Sequence, residues 1–414
     1  MMPWFIALSG SIIIILICIY NKLNIGLTML AGAATLGLLA GLPLPGFLEV
    51  LTGGLWNSIT IMLIISILLL GVLGHILKET GAMEEIILNL NALVSDIRII
   101  AATMPMIIGM LTVPGGAILS APLCAEAGTR LEVSPVRQAV INNWFRHVLY
   151  FMFPLFPSLI IASELSGVSL SRFFLHNLPL TVIGTIFGFY FLFKGYSGSK
   201  EVNSISFSWR RAGFLIKSIM PLIFILILVV VFDLYFPLAL VAGITLALFN
   251  YLPRGKRSQE VIRRLRTMLL PGVKISVALV IAGIMLYKEM LTHTGVIYDM
   301  TNLVLELGLP VIVLIAVISF LVGMLTGDNS ASVVILFPLF MPLVPAGGAV
   351  YTAYLAFIYA GSTAGHIISP AHPCFSLTKE YYAVEIKEFI VLTLPMLAVV
   401  MAAGFLITAL FGFH

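Results

Sequence analysis

The sequence predicts an all-α polytopic membrane protein with two inverted-topology repeats, each containing a re-entrant helical hairpin and a broken transmembrane helix. Three observations support this fold class. The 414-residue chain is 60% hydrophobic and only 10% charged, with a mean hydropathy of +1.13. Short motifs recur in the same order in its two halves. In each half, long apolar runs are interrupted by glycine, proline and polar residues.

The composition places the chain in a membrane. Soluble domains carry about 25% charged residues, more than twice the share found here. Runs such as Trp4–Tyr20 and Ser218–Phe236 approach or reach the ~20 apolar residues that span a bilayer core. We therefore expect a multi-pass protein of the inner (cytoplasmic) cell membrane. The three cysteines are scattered and indicate neither a disulfide framework nor a zinc site.

The repeat is visible in four blocks. The letters GMLT occur at Gly109 and again at Gly323. A Pro-x-x-Pro pattern begins at Pro154 and again at Pro370. Thr-Gly pairs before the GMLT blocks and an Ala-Gly run near the start of each half keep a similar spacing. The chain is therefore predicted to consist of two homologous repeats, residues 1–205 and 206–414.

Each repeat is predicted to contain about five transmembrane helices plus a hairpin. In the first repeat we expect spans near 3–21, 25–43 and 57–77, an interfacial stretch at 83–94, a hairpin near 98–128, a broken span over 135–165 and a last span near 177–195. The second hairpin is expected near 309–344. Since an odd number of crossings reverses the direction of the next repeat, the two repeats are predicted to be inverted.

The positive charges support the inverted arrangement. The linker between the repeats and the segment 254–266 are both rich in Lys and Arg, and the positive-inside rule places both in the cytoplasm. The resulting topology leaves only Arg172 and Lys288 outside and Arg146 within a span. Segment 254–266 is interpreted as a helix on anionic membrane lipids. The net charge of +4 thus reflects topology, and no nucleic-acid partner is expected.

Irregular backbone inside a membrane is tolerated where it is buried in protein or lines a wet cavity. The two hairpin tips and the two broken helices are therefore the candidate functional positions. Asp328 is the most informative residue, because a carboxylate at this depth must be paired, protonated or bound to a cation. The candidate ion-binding residues are Thr112, Pro114, Asn142, Thr326, Gly327, Asp328 and Ser362. The candidate substrate-binding residues are Gly115, Gly116, Asn143, Arg146, Asn329, Ser330, Thr363 and His366.

Two alternatives stay open at these positions. Arg146 either holds an anionic substrate or neutralises a carboxylate such as Glu126 or Glu164. His366 and a second histidine, His372, either carry protons, since their intrinsic pKa lies near working pH, or pack as hydrogen-bonded interior residues. Apart from a possible Na⁺ ion, no metal site and no cofactor are predicted.

The segments NWFRHV, VPGGAILSAP and ISPAHPCFSLTKEYY resemble an uncharacterised prokaryotic family of integral membrane proteins distantly similar to gluconate and citrate permeases. Through these residues the chain also resembles the wider ion-transporter superfamily, which includes divalent-anion/sodium symporters. The resemblance implies a homodimer with an elevator-like mechanism. It also implies a Ser-Asn-Thr motif at the tips, from which Pro114–Gly116 departs, whereas Asp328–Ser330 keeps side-chain oxygens.

These observations favour a cation-coupled secondary transporter, driven by Na⁺ or H⁺, for a small organic anion that is a carboxylate. The alternative is a Na⁺/H⁺ antiporter with no organic substrate. An enzyme is not expected, because the metal motif HExxH and the nucleophile motif GxSxG are both absent from the sequence. A P-loop, which a primary pump would need, is also absent.

Overall fold

The computed structural model describes residues 4–21, 23–82, 85–86, 96–110, 116–198, 209–251, 258–273, 275–306, 308 and 310–412. Within these residues every regular element is a helix, which confirms the all-α fold class. Among the described residues, three helices have the length and composition to cross a membrane: Ser58–Glu79, Leu170–Phe193 and Ile386–Phe411. Several others, such as Ile25–Leu39 and Val311–Thr326, are apolar but shorter.

The first half of the chain contains nine described helices. They are α1 (Trp4–Tyr20), α2 (Ile25–Leu39), α3 (Leu44–Leu55), α4 (Ser58–Glu79), α5 (Ile97–Met110), α6 (Gly116–Arg130), α7 (Pro135–His147), α8 (Pro157–Ser166) and α9 (Leu170–Phe193). A short 3₁₀ turn, Val148–Phe151, follows α7. The predicted break in the span over 135–165 therefore lies between α7 and α8.

The second half continues the numbering. Its helices are α10 (Trp209–Val230), α11 (Phe236–Tyr251), α12 (Ser258–Leu269), α13 (Ile275–His293), α14 (Val296–Glu306), α15 (Val311–Thr326), α16 (Asn329–Phe340), α17 (Gly348–Ile368), α18 (Pro373–Tyr382) and α19 (Ile386–Gly412). Short 3₁₀ turns, Leu270–Gly272 and Met341–Leu343, follow α12 and α16. Helices α15 and α16 form the predicted hairpin, and α17 and α18 form the second broken helix.

One of the predicted boundaries is wrong, and one helix was not predicted. Helix α3 lies between the spans predicted near 25–43 and 57–77, in a stretch to which the sequence analysis assigns no element. Helix α9 begins at Leu170 rather than near residue 177, since its polar first turns are still helical. The interfacial stretch predicted at 83–94 lies almost entirely outside the described residues.

The early helices of the two halves pack against one another. Helix α2 packs against α13, and α4 packs against α11. Glycine makes the first of these contacts very close, because a Cβ atom on Gly26 would lie 2.5 Å from the Leu279 carbonyl oxygen, and one on Gly283 would meet the carbonyl of Gly26. Backbone therefore lies directly against backbone where the two helices cross.

The hairpins and broken helices form a second set of contacts. Helix α5 packs against α7, and α15 packs against α17. Across the halves, α8 packs against α16 and α6 against α18. The repeated GMLT glycines make the same kind of contact: Gly109 faces the carbonyl of Arg146 on α7, and Gly323 faces the carbonyl of Ser362 on α17. In both halves this glycine allows the first hairpin leg to touch the broken helix.

Candidate functional site

The tip of the second hairpin contains only two residues, Gly327 and Asp328. Gly327 ends α15 in the left-handed conformation, with φ of 63°, and its N–H donates to the Gly323 carbonyl at 3.2 Å. Asp328 begins α16, since its side-chain oxygen accepts a hydrogen bond from the Ala331 backbone N–H at 2.8 Å. The reversal of the chain is therefore specified by one C-terminal and one N-terminal cap.

Thr326 closes the tip from the side. Its hydroxyl lies 2.7 Å from the Ser332 hydroxyl on the other leg and 2.9 Å from the Val322 carbonyl. Ser332 in turn donates to the Asp328 carbonyl at 2.9 Å. Both hydroxyl side chains are buried. The predicted ion-binding residues Thr326, Gly327 and Asp328 thus form one compact turn with much of its oxygen already engaged.

Asn329 connects this tip to both broken helices. Its amide nitrogen donates to Ser158 Oγ on α8 at 3.2 Å and to Thr363 Oγ1 on α17 at 3.0 Å. Its amide oxygen accepts from Ser362 Oγ at 2.5 Å. All four residues are buried. The structure therefore brings together three residues predicted from the sequence and adds Ser158, which lies in the other half of the chain.

The hydrogen bonds continue from Ser158 to two tyrosines. The Tyr359 hydroxyl donates to the Tyr150 carbonyl at 2.9 Å, so its oxygen is an acceptor for Ser158 Oγ, 3.0 Å away. Thr363 Oγ1 donates to the Tyr359 carbonyl at 2.9 Å. A fully connected buried network of this kind fixes one arrangement of its side chains. It links the second hairpin tip to the break that follows α7.

The asparagine pair on α7 points to two different neighbours. Asn142 donates to the Ala117 carbonyl on α6 at 3.2 Å and to Thr378 Oγ1 on α18 at 3.3 Å. Asn143 donates to the Ile367 carbonyl on α17 at 3.0 Å. The side-chain oxygen of each asparagine is buried and has no hydrogen-bond partner among the described residues. Two amide oxygens are therefore available to a donor group or a cation.

Charged side chains of both signs lie at the centre. Arg146 is buried in α7, with 2% of its surface exposed, and Asp328 is half-buried at the hairpin tip. Both charges act on Tyr150, so the tyrosine lies within electrostatic reach of each. Glu126, one of the two carboxylates considered as a partner for Arg146, instead pairs with Arg130 at 2.8 Å on an exposed face of α6.

Three buried histidines meet between the broken helices. His147 is the last residue of α7, His366 lies in the last turn of α17, and His372 precedes the first residue of α18. The Nε2 atoms of His147 and His372 are 3.0 Å apart. One ring nitrogen from each of the three residues lies within 4.8 Å of the others.

Sequence reasoning alone missed this cluster because it did not connect His147 with the two distant histidines. The signal was present only as a histidine next to Arg146 in the segment NWFRHV. It also missed Tyr150, Ser158, Thr378 and Tyr359. Thr112, Pro114 and Gly115, at the tip of the first hairpin, lie outside the described residues, and Gly116 begins α6.

The fold of the chain is shared with known transporters. The YdaH transporter of Alcanivorax borkumensis matches with a TM-score of 0.64 and 16% identity over 90% of each chain. MtrF of Neisseria gonorrhoeae, described within a class of antimetabolite efflux pumps, matches with a TM-score of 0.55 and 14% identity over 88% of this chain and 83% of MtrF. At this identity the likeness shows the fold.

The sequence comparisons place the chain in a family without identifying a substrate. No curated protein matches the sequence significantly. The family described as "Protein of unknown function (DUF401)" matches residues 5–411, nearly the whole chain. The predicted resemblance to an uncharacterised family of membrane proteins is confirmed to that extent. The more distant resemblance to divalent-anion symporters and to gluconate and citrate permeases stays a prediction.

Proposed function

The chain belongs to the DUF401 family, and we propose that it is a secondary transporter, not an enzyme, that couples the movement of Na⁺ or H⁺ to the movement of a small organic anion. The observation that carries this proposal is the Asn329 junction. One residue at a hairpin tip bonds to helices from both halves of the chain. A ligand that alters this junction would act on both halves at once, as a coupled transporter requires.

Charge supports an anionic substrate. A buried guanidinium in a membrane is costly and marks substrate pathways or structural pairs. Arg146 is such a group, and Asn143, one turn before it on α7, has a buried amide oxygen without a partner among the described residues. The planar guanidinium fits a carboxylate with two parallel hydrogen bonds. A carboxylate held by Arg146 near Asn143 and His366 is the arrangement that we propose.

The coupling ion is proposed to bind at the second hairpin tip. Thr326, Asp328 and Ser332 place hydroxyl, carbonyl and carboxylate oxygens within one turn. Hard cations prefer such oxygen ligands. The carboxylate also supplies the negative charge that would offset the ion. By the predicted symmetry, Ser362 and Asn142 are proposed to contribute from the broken helices, together with Thr112 and Pro114 of the first tip.

The matching order of elements supports the two-repeat organisation. After two apolar helices, each half has an additional short helix (α3 or α12), a further apolar helix, a hairpin, a broken helix and a terminal span. The second half also has α14 before its hairpin, and the corresponding stretch of the first half lies almost entirely outside the described residues. The contacts between the halves are also reciprocal, because the second helix of each half packs against the fourth helix of the other: α2 against α13, and α11 against α4. We propose inverted repeats on this basis, with an elevator-like movement in a homodimer.

Ligand-dependent thermal stability tests the function. Purified protein in detergent would be heated in Na⁺ or K⁺ at two pH values, with a panel of small carboxylates, sugar acids and oxyanions. A ligand that binds only the native state raises its stability by about 2.7 kcal/mol when present at 100 times its Kd. We expect one class of carboxylate to raise the melting temperature, more so in Na⁺ or at the lower pH, and Arg146→Lys to weaken that response.

The antiporter is the second candidate, because the only acidic side chain at the described hairpin tip, Asp328, could exchange Na⁺ for H⁺ without an organic substrate. The same experiment separates the two functions. Stabilisation by Na⁺ or by pH, with no response to any anion, would favour the antiporter. No response to any anion or cation would contradict both.

A further inference from the structure

We propose that His147, His366 and His372 form a binding site for a divalent transition-metal ion of the zinc class. This site is separate from the proposed Na⁺ or H⁺ position at the hairpin tip. It shares His366 with the proposed carboxylate site, but the argument for it does not depend on that substrate. Its three ligands come from α7, from α17 and from the segment between α17 and α18. A bound ion would therefore join the two broken helices, and with them the two halves of the chain.

The distances fit an imidazole-bound metal ion. Zinc–nitrogen bonds are about 2.0–2.1 Å long, so two nitrogen ligands of a tetrahedral ion lie about 3.3 Å apart. Here the closest pair, the Nε2 atoms of His147 and His372, is 3.0 Å apart, and all three ligand atoms lie within 4.8 Å of one another. Small side-chain rotations would bring them to equal distances from one ion.

His147 has its ring oriented for this role. Its Nδ1 atom lies 2.7 Å from the Asn143 carbonyl, which can only accept a hydrogen bond, so Nδ1 carries the proton. Nε2 then presents its lone pair to the cluster. A backbone carbonyl that fixes the tautomer of a histidine in this way is the usual outer contact of a metal-binding imidazole.

His366 supplies an independent indication. The side chain is 4% exposed, and neither of its ring nitrogens has a hydrogen-bond partner among the described residues. The Gly327 backbone faces the ring but does not meet hydrogen-bond geometry. A buried polar group without a partner carries a free-energy cost, because it has lost its hydrogen bonds to water. Coordination to an ion shared with His147 and His372 would remove that cost for one nitrogen.

The ligand set selects the class of metal. Imidazole nitrogen suits zinc, copper, nickel and iron, whereas calcium and magnesium require oxygen ligands. Three histidines also leave the fourth position of a tetrahedral ion open. The positive charge of Arg146 acts on His147 and His372 and would weaken binding of a bare cation. A hydroxide or another anion in the fourth position would offset that repulsion.

The test uses full-length protein purified without a polyhistidine tag. Zn²⁺ binding would be measured by equilibrium dialysis, and Co²⁺ binding by the visible absorption that a tetrahedral site produces. His366→Ala is the decisive variant, because no hydrogen bond to its ring is lost among the described residues, and His366→Gln keeps the side-chain volume. His75→Ala is the matched control, since His75 lies in α4 with Nε2 3.0 Å from the Thr267 carbonyl, away from the cluster.

We expect one Zn²⁺ ion per chain, at least ten-fold weaker binding in both His366 variants, loss of the tetrahedral Co²⁺ spectrum and unchanged binding in His75→Ala. Magnesium should not compete. The absence of saturable Zn²⁺ and Co²⁺ binding by the wild-type protein would overturn the proposal without any variant being made. Equal affinity in the His366 variants, or loss of binding in His75→Ala, would overturn it as well.

Discussion

Asp328 combines a cap and a charge, and the two can be separated by substitution. Its carboxylate accepts the Ala331 N–H at 2.8 Å and begins α16. Asn offers the same acceptor and caps helices about as well as Asp, whereas Ala loses about 1 kcal/mol (range 0.5–2). Asp328→Asn also loses the favourable contact of a negative charge with the helix N-terminus, about 0.3–1 kcal/mol. This loss is offset because the neutral Asn side chain does not carry the cost of burying a charge.

We therefore expect the free energy of unfolding of Asp328→Asn to lie within about 0.5 kcal/mol of the wild-type value. Asp328→Ala should be about 1 kcal/mol less stable than the Asn variant. Unfolding in mixed micelles measures both differences. If the charge binds the coupling cation, both variants should lose the stabilisation that Na⁺ or low pH gives the wild-type protein. Only the Ala variant should lose intrinsic stability.

Glu164→Gln is the control, because it removes another half-buried carboxylate, on α8. It should keep the response to the cation. The reasoning would be refuted in its ion-binding part if Asp328→Asn responded to Na⁺ and pH like the wild-type protein. It would be refuted in its structural part if the Asn and Ala variants were equally destabilised.

Three further substitutions test the packing. Asn329→Ala removes three buried hydrogen bonds and should lower the free energy of unfolding in mixed micelles by about 2–4 kcal/mol; a loss below 1 kcal/mol would show that the junction does not hold the tip. Gly323→Ala places a Cβ atom against the Ser362 carbonyl and should cost about 1–3 kcal/mol in the same assay, unless α15 and α17 separate without cost. Ala383 has φ of 51° at the end of α18, where the corresponding residue after α8 is Gly167 with φ of 70°. Ala383→Gly should therefore gain about 0.5–1 kcal/mol, and an unchanged melting temperature would argue against strain at this turn.

The sequence predicted the local breaks well because they depend on local chemistry. The break predicted at Gly327 and Asp328 is present, and the structure shows that Gly327 caps the end of α15 and Asp328 caps the start of α16. Pro157 and Pro373 begin α8 and α18, in agreement with the preference of proline for the first turn of a helix. The repeated GMLT motif was recognised, although only the structure explains its glycine as a contact with a carbonyl group.

The partners across the two halves could not be predicted from spacing. His147 and His372 meet although 225 positions separate them, and Ser158 reaches Asn329 across 171 positions. Such pairs depend on how α8 packs against α16 and α7 against α17 and α18. No periodicity in one sequence determines that packing.

The glycine contacts between α15 and α17 determine which helices can move relative to each other. On α15 and α17, Gly323 faces the Ser362 carbonyl and Gly365 faces the Phe320 carbonyl. These two reciprocal contacts fix the position of each helix on the other, because sliding or rotating one helix would bring backbone atoms of the two helices into collision. Any motion that exposes the Asn329 junction to one side of the membrane must carry the second hairpin and its broken helix as a single rigid piece. The surfaces that move past each other in such a motion must therefore lie outside the contact between α15 and α17.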